Sequence, residues 1–117
     1  MTVKQISVFV ENTAGKLAEL TEYLHQHDID MRALSIAETQ DFGIVRIIVD
    51  DAYKTSQVLK EAGYVASITP VLAVEMSDEP GSLFKILKLL GDGGINLEYM
   101  YAFLTHKEST AYMVLRV

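Results

Sequence analysis

Hydrophobic and polar residues in the first part of the chain form a strand-like run followed by a helix-like one. The run Val3–Val10 mixes β-branched and aromatic residues, which predicts a mostly buried strand. Leu17, Leu20 and Leu24 then recur with the spacing of one helix face, and Thr13 is placed to cap that helix. These residues are therefore predicted to form a strand, a turn and an amphipathic helix.

The hydrophobic phase of the next strand, predicted over Ile29–Glu38, changes part-way along its length. Met31 and Leu34 are three residues apart, where strict alternation would place them two apart. This spacing predicts a β-bulge near Arg32 and Ala33, because a bulge inserts one extra residue into a strand.

A turn, a buried strand, a helix and a fourth strand complete this half of the chain. Asp50 or Asp51 is expected to cap the helix, and Gly63 is expected to end it. The turn is predicted at Asp41-Phe42-Gly43, the strands over Ile44–Val49 and Tyr64–Thr69, and the inward helix positions at Ala52, Leu59 and Ala62.

The second half of the chain repeats the first at a constant offset. Gly81 lies 66 residues after Gly15, and Ile95 lies 66 residues after Ile29, so nothing is inserted between these landmarks. A period of this length suits a duplicated small domain rather than a solenoid. What is repeated is a strand, a glycine-containing turn that opens a helix, and a second strand.

The elements of the second copy follow from the same patterns. Pro80 suits the first helical position, where its missing N–H costs nothing. The phase change recurs between Leu97 and Met100, which predicts a second bulge. The strands are predicted over Val71–Met76, Ile95–Leu104 and Ala111–Val117, the helix face at Leu83, Ile86, Leu87 and Leu90, and the helix end at Gly91 and Gly93-Gly94.

The order of elements in the first copy, β-α-β-β-α-β, is that of an α+β, ferredoxin-like sandwich. We predict two tandem copies, residues 1–69 and 70–117, of which the second lacks its final helix and strand. Pro70 joins them with almost no linker, which predicts two units in fixed relation. The missing strand leaves one edge to be covered by a partner or by the other copy, unless the chain is truncated.

Composition narrows the classes of function. The net charge is −6, with ten basic residues scattered among sixteen acidic ones, which argues against nucleic-acid binding. The absence of cysteine excludes disulfides and thiolate metal sites. No apolar stretch approaches the ~20 residues of a membrane span and no signal peptide is apparent, so we expect a soluble, cytoplasmic protein.

Catalytic chemistry is not indicated by the sequence. It has no nucleophile elbow, phosphate loop or zinc-protease motif, and its carboxylates fall mostly on predicted helix surfaces and caps. His25, His27 and His106 are not spaced to converge on a metal ion, so solvated side chains are expected there. We therefore predict a protein that is not an enzyme and that has no cofactor or metal.

The two glycine turns are the candidate sites. A helix N-terminus leaves N–H groups unpaired and carries a partial positive charge, and glycine lets a ligand approach the backbone. Each turn could therefore hold a carboxylate. The alternative is that Gly15 and Gly81 only permit close packing of helix on sheet, and the sequence leaves both interpretations open.

The second turn and the strand after it resemble the opening half of an ACT domain. The resemblance rests on Asp78-Glu79-Pro80-Gly81-Ser82-Leu83 and on Gly94-Ile95-Asn96-Leu97, and the first copy matches less well at Asn12–Leu17 and Asp28–Met31. It implies modules that pair, here as a homodimer, and that bind a small ligand, commonly an amino acid, at the seam. Such a ligand usually touches the first turn of one copy and the second strand of a neighbour.

By position, the resemblance implies particular ligand contacts in each copy. Asp78 or Asn12 would accept a hydrogen bond from an α-ammonium group, while backbone N–H groups near Gly15 or Gly81 would hold an α-carboxylate. Lys16 would serve a charged or polar ligand. The implied contacts are Asn12, Ala14, Gly15, Lys16 and Leu17 in the first copy and Asp78, Pro80, Gly81, Ser82, Leu83 and Asn96 in the second.

An aromatic row on the second strand of the second copy adds two candidates. Tyr99, Tyr101 and Phe103 share one strand face, opposite to that of Met100, and are either core or an interface for a ligand or another sheet. Three hypotheses result: an amino-acid-binding regulatory module, a dimerisation module that pairs through this aromatic face, and, ranked last, a small enzyme.

Overall fold

The structure, a computed structural model, describes residues 2–11, 13–38, 42–103 and 110–117. The chain divides into two compact units, Lys4–Thr69 and Pro70–Val117, and Thr2 and Val3 group with the latter. The elements are β1 (Thr2–Glu11), α1 (Lys16–Gln26), β2 (Met31–Glu38), β3 (Phe42–Val49), α2 (Ala52–Glu61), β4 (Val65–Ser77), α3 (Ser82–Asp92), β5 (Tyr99–Phe103) and β6 (Thr110–Arg116).

The first unit is a ferredoxin-like sandwich, as predicted. Its strands lie in the order β2-β3-β1-β4, and β3 pairs antiparallel with both β1 and β2. One apolar cluster forms its core, because the leucine face of α1 and alternate residues of the strands meet there. Its members with no exposed surface include Ile6, Val8, Leu20, Leu24, Ile47 and Leu59.

The bulge predicted in the second strand is confirmed. The pairing of β2 with β3 shifts register between Met31 and Ala33. The strand begins at Met31 rather than at Ile29, because the residues before it close the preceding helix. Asp28 has a positive φ of 56°, and the Ile29 N–H donates to the Leu24 carbonyl at 3.1 Å.

Both ends of α2 follow the prediction, but its inward face differs. The Asp51 carboxylate caps the helix by accepting from the Lys54 N–H at 3.0 Å, and Gly63 has a φ of +86° just after the helix end. Ala62 is exposed rather than inward, since it lies past the helix as its C-cap, and Thr55 is buried instead.

The third strand extends further than expected. Phe42 and Gly43, predicted to lie in a turn, belong to β3 and pair with Glu11 and Val10 of β1. Asp41, the first residue of that predicted turn, is outside the described residues.

The second unit contains the order β4-β6-β5, with antiparallel pairs throughout its described strands. The strands predicted over residues 64–69 and 71–76 are parts of one strand, β4, which begins at Val65 and continues through Pro70. In the described part of the chain this unit has a single helix, α3. No helix in the described residues is long and apolar enough to cross a membrane.

The second predicted bulge, between Leu97 and Met100, falls at the start of β5 and stays a prediction. The β5 strand begins at Tyr99 and pairs with β6 in uniform register as far as Phe103. The residues before it are not in a strand, because the Ile95 N–H donates to the Leu90 carbonyl at 2.9 Å and closes α3. The Glu98 N–H, one residue before the strand, donates to the Arg116 carbonyl at 2.8 Å, and Arg116 is also the register partner of Tyr99.

Candidate functional site

The first glycine turn has a left-handed glycine directly before α1. Gly15 has a φ of 86° and is the N-cap residue, and no side chain among the described residues caps the helix. The Lys16 N–H donates to the Thr13 carbonyl at 3.3 Å, and the Glu19 N–H donates to the Gly15 carbonyl at 3.0 Å. Thr13 therefore contributes its backbone and not the side-chain cap that the sequence predicted.

The second turn reproduces these bonds 66 residues later. Gly81 has a φ of 88°, the Ser82 N–H donates to the Glu79 carbonyl at 3.2 Å, and the Lys85 N–H donates to the Gly81 carbonyl at 3.1 Å. The duplication seen in the sequence is thus also a duplication of backbone hydrogen bonds. Pro80 is not the first helical residue, as α3 begins at Ser82.

The two glycines are required for their backbone conformation and not for close packing. A Cβ atom added to Gly15 or Gly81 would meet no atom within 4 Å. The alternative in which these residues only let a helix approach a sheet is therefore wrong. A positive φ is readily adopted by glycine, and the open space above each turn leaves its backbone accessible.

The side chains of the two turns differ. Ala14 is exposed and Leu17 packs against the core in the first turn, while Asn12 lies outside the described residues. In the second turn Asp78 and Pro80 are exposed and Leu83 is half-buried. A bond of 2.8 Å joins the hydroxyls of Ser77 and Ser82 there.

The predicted strand contacts lie at the far end of the second unit from its glycine turn. Ser77, just before the turn, pairs with Thr110, whereas Tyr99 pairs with Arg116 at the other end of β6. Six residues of strand separate those positions, about 20 Å at ~3.3 Å per residue. Asn96, which is exposed, lies three residues before Tyr99 and so precedes β5. The unit therefore does not bring Asn96 and Tyr99 together with Gly81.

The side chains of the aromatic row differ in how deeply they are buried. Tyr99 is half-buried, Tyr101 is only 9% exposed, and their stacked rings are 6.5 Å apart at an interplanar angle of 18°. Phe103 contacts Tyr112, which lies opposite it on β6, with ring centroids 5.8 Å apart.

A cavity of about 370 Å³ lies beside the first turn, wholly within the first unit. The end of β1, the exposed side of α1 and the turn between α2 and β4 form its walls. The residues that carry its chemistry are Phe9, Glu11, Lys16, Glu19, Tyr23 and Tyr64. Of these, sequence reasoning singled out only Lys16. Lys16, Glu19 and Tyr23 have helical spacing and could have been recognised as a polar stripe next to the leucine face.

Charges and hydrogen bonds are arranged around this cavity. The Lys16 ammonium lies 3.6 Å from a Glu19 carboxylate oxygen. The Tyr23 hydroxyl donates to the Val58 carbonyl at 3.0 Å, which fixes one wall. Burial, with the nearby Glu19 carboxylate as the next cause, raises the pKa of the Tyr64 phenol above its ordinary value, against a smaller opposing effect of Lys16.

Metal ligation has no support in the described residues, where no three His, Cys, Asp or Glu side chains gather. His25 and His27 are exposed at the end of α1, and His27 Nδ1 lies 2.9 Å from the Tyr23 carbonyl oxygen. His106 lies outside the described residues.

Comparison with known proteins agrees with this architecture. The whole chain, residues 1–117, matches the ACT domain pair, and the protein belongs to that family. It is 41% identical to protein BT0572 from Bacteroides thetaiotaomicron, with a TM-score of 0.91, over 99% of this chain and 79% of that one. No match is found among proteins of curated function.

Two more distant structures share the fold. The regulatory subunit of aspartate kinase from Thermus thermophilus, in a ligand-free form, is 16% identical with a TM-score of 0.72, over 96% of this chain and 81% of that one. The corresponding subunit from Thermus flavus is 16% identical with a TM-score of 0.65, over 96% and 80%. The chain thus shares its fold with these two proteins.

Proposed function

We propose that this protein is a non-catalytic regulatory or sensor protein that binds an amino acid at a seam between ACT copies or between subunits. The observation that carries the proposal is the duplicated turn, with the same left-handed glycine and the same two backbone hydrogen bonds in each copy. In the part of the chain that the structure describes, neither helix that follows has a side-chain cap. A carboxylate at either turn would meet N–H groups and the positive end of a helix dipole.

The ligand would be held at both of its charged ends. Backbone N–H groups beside Gly15 or Gly81 would bind the α-carboxylate, and Asp78 or Asn12 would accept from the α-ammonium group. Because Asn96 and Tyr99 lie far from Gly81 in their own unit, the strand contacts of the ACT pattern would come from a neighbouring copy. A homodimer supplies such a neighbour.

Regulation would follow from differential affinity. A ligand that contacts two copies favours the arrangement in which both contribute contacts. It can shift the equilibrium only by as much as its affinities for the two arrangements differ. Membership of the ACT pair family and the likeness to aspartate kinase regulatory subunits support action on a separate enzyme in the cytoplasm. No catalytic role is proposed for any residue.

Isothermal titration calorimetry against the twenty amino acids tests this function. We expect saturable binding by at least one of them, weakened in Gly81→Ala, whose Cβ would project into the open space where the ligand approaches the backbone. Gly91→Ala, in the same helix and also facing open space, is the matched control and should bind normally. If none of the twenty binds at millimolar concentration, the proposal is wrong.

A dimerisation module without a ligand remains the second candidate, and α3 favours it. This helix has no buried residue, and Phe84 and Leu89 are 65% and 73% exposed. Ile86 and Leu90 are only half-buried, whereas Leu20 and Leu24, 66 residues earlier, have no exposed surface. A second copy of α3 would cover this face. The predicted aromatic interface would need Tyr101 to be accessible. Because Tyr101 is buried, it is a poorer candidate for the dimer contact than α3.

Analytical ultracentrifugation distinguishes this candidate. Leu89→Glu should convert dimers to monomers, while Tyr53→Glu, at a position 67% exposed on the other unit, should not. A dimer unaffected by Leu89→Glu, or a wild-type protein that is monomeric at every concentration, would remove α3 as the interface.

A further inference from the structure

The cavity beside the first turn has an excess of negative charge. Among the described residues that line it, Glu11 and Glu19 contribute two carboxylates and Lys16 contributes the one ammonium group. Lys16 is paired with Glu19 at 3.6 Å, which leaves Glu11 without a balancing cation among the cavity's residues. The raised pKa of Tyr64 agrees with this sign, because Glu19 acts on the phenol more strongly than Lys16 does.

Aromatic rings line the same space. The rings of Tyr23 and Tyr64 are 6.2 Å apart and tilted by 44°, and the ring of Phe9 lies on another wall. Such faces attract a cationic group that has left water, and they provide apolar contact to the body that carries it. A cavity of about 370 Å³ lies within the range of small-molecule sites, roughly 300–1,000 Å³.

This chemistry is specific to the first copy. The positions of Lys16, Glu19 and Tyr23 are occupied in the second copy by Ser82, Lys85 and Leu89. The two copies therefore share the backbone of the turn, but the carboxylate of Glu19 is matched by the ammonium group of Lys85 and the ring of Tyr23 by the aliphatic side chain of Leu89. The α2–β4 turn that supplies Tyr64 also has no counterpart in the described residues of the second unit.

We propose that this cavity binds a small organic cation, an ammonium or guanidinium group on a short apolar or planar body, at a site beside the first glycine turn that shares Lys16 with it. The cation would lie against the rings of Tyr23 and Tyr64 with Glu11 and Glu19 as its counter-charges. Glu19 would exchange its internal partner Lys16 for the ligand. This site goes beyond the proposed amino-acid site, because it lies within one unit and needs no neighbouring copy.

NMR titration of the full chain with three probes tests the proposal. Agmatine and n-butylguanidine carry the guanidinium cation, and n-butylurea has a neutral group of the same shape and no other charge. We expect the first two to shift the backbone amides of Gly63 and Tyr64, and n-butylurea to bind about tenfold more weakly there, as expected for losing one cation's interactions. Binding of n-butylurea as tight as that of n-butylguanidine would overturn the assignment of charge.

Substitutions on exposed side chains give a second test. Glu19→Gln should weaken agmatine binding several-fold, and Lys16→Gln should strengthen it, because Glu19 then has no internal competitor for the ligand. Lys85→Gln, at the equivalent position of the second copy, should change nothing. An affinity for agmatine that is unchanged in both Glu19→Gln and Lys16→Gln would overturn the proposed site.

The outcomes separate this site from the amino-acid site. Shifts at Gly15 and Gly81 with amino acids, and none at Gly63 and Tyr64 with agmatine at millimolar concentration, would overturn the cavity proposal and leave the proposed function standing. Shifts at Gly63 and Tyr64 with agmatine, while none of the twenty amino acids moves Gly15 or Gly81, would support the cavity and overturn the proposed function.

Discussion

Replacing the left-handed glycines by alanine should destabilise the protein by a predictable amount. In Gly15→Ala and Gly81→Ala the added Cβ meets no atom within 4 Å, so no clash with the rest of the protein contributes. The cost comes from the backbone alone, at φ values of 86° and 88°. For an L-residue in this region it is about 1–2 kcal/mol. Each single variant should therefore lose about that much free energy of unfolding.

Gly91→Ala is the matched control, with the opposite expected sign. Gly91 lies inside α3, has no positive φ and also faces open space. Alanine there should stabilise by roughly 0.5–1 kcal/mol, because glycine loses more conformational freedom in a helix. The same glycine-to-alanine change should therefore give free energies of unfolding that differ by about 2 kcal/mol between the variants, because the backbone conformation at the two positions differs.

Urea and thermal unfolding followed by circular dichroism measure this difference. A change of 1 kcal/mol shifts the melting temperature by roughly 4 °C in a chain of this size. Gly15→Asn should recover part of the loss, since asparagine tolerates the left-handed region better than alanine. If Gly15→Ala and Gly91→Ala changed stability equally, or if Gly15→Ala were neutral, the reasoning from φ would be refuted.

Three further predictions concern Asp28, the equivalent leucines Leu24 and Leu90, and Tyr64. Asp28→Gly should raise the free energy of unfolding by about 0.5–1 kcal/mol, because Asp28 has a φ of 56° where the repeat has Gly94, and urea titration would detect it. In a monomeric preparation, Leu24→Ala should lower the free energy of unfolding by about 3–5 kcal/mol and Leu90→Ala by clearly less, since only Leu24 is fully buried. Equal losses would contradict the view that the core of the second unit is less complete. The folded protein holds the Tyr64 proton more tightly than the unfolded chain does, so this group's stabilisation is complete below pH ~10 and declines as the pH rises through the raised pKa. Tyr64→Phe should make that alkaline decline shallower in urea titrations, and absorbance at high pH should show one late-titrating tyrosine fewer.

The fold was predictable because periodicity and repetition are local signals. Leu20 and Leu24 have helical spacing and are fully buried, and the phase shift around Arg32 marks a real change of register. The same signal at Leu97 lies before the paired residues of β5, so their register does not test it. In both copies the strand begins later than predicted, because the Ile29 and Ile95 N–H groups close the preceding helix, and a pattern of side chains does not reveal where a backbone donor bonds.

The candidate site was predictable only in part. The turns could be located from Gly15 and Gly81, but their capping could not, because the left-handed glycine itself occupies the N-cap position that Thr13 was expected to fill. The cavity was beyond sequence reasoning. It joins β1 to a turn some fifty residues later, around Tyr64, and only the antiparallel order of the sheet brings those segments together.

The rings of Tyr23 and Tyr64 at the cavity wall give the first unit an intrinsic fluorescence probe. The chain has six tyrosines and no tryptophan, so its ultraviolet emission comes from tyrosine alone, without transfer to an indole. Tyr23 and Tyr64 form the one such pair that borders the cavity, and any occupant would change the polarity and quenching around them. Binding there can be followed in unlabelled, unmodified protein, at the concentrations of a fluorimeter and with Tyr64→Phe as the blank.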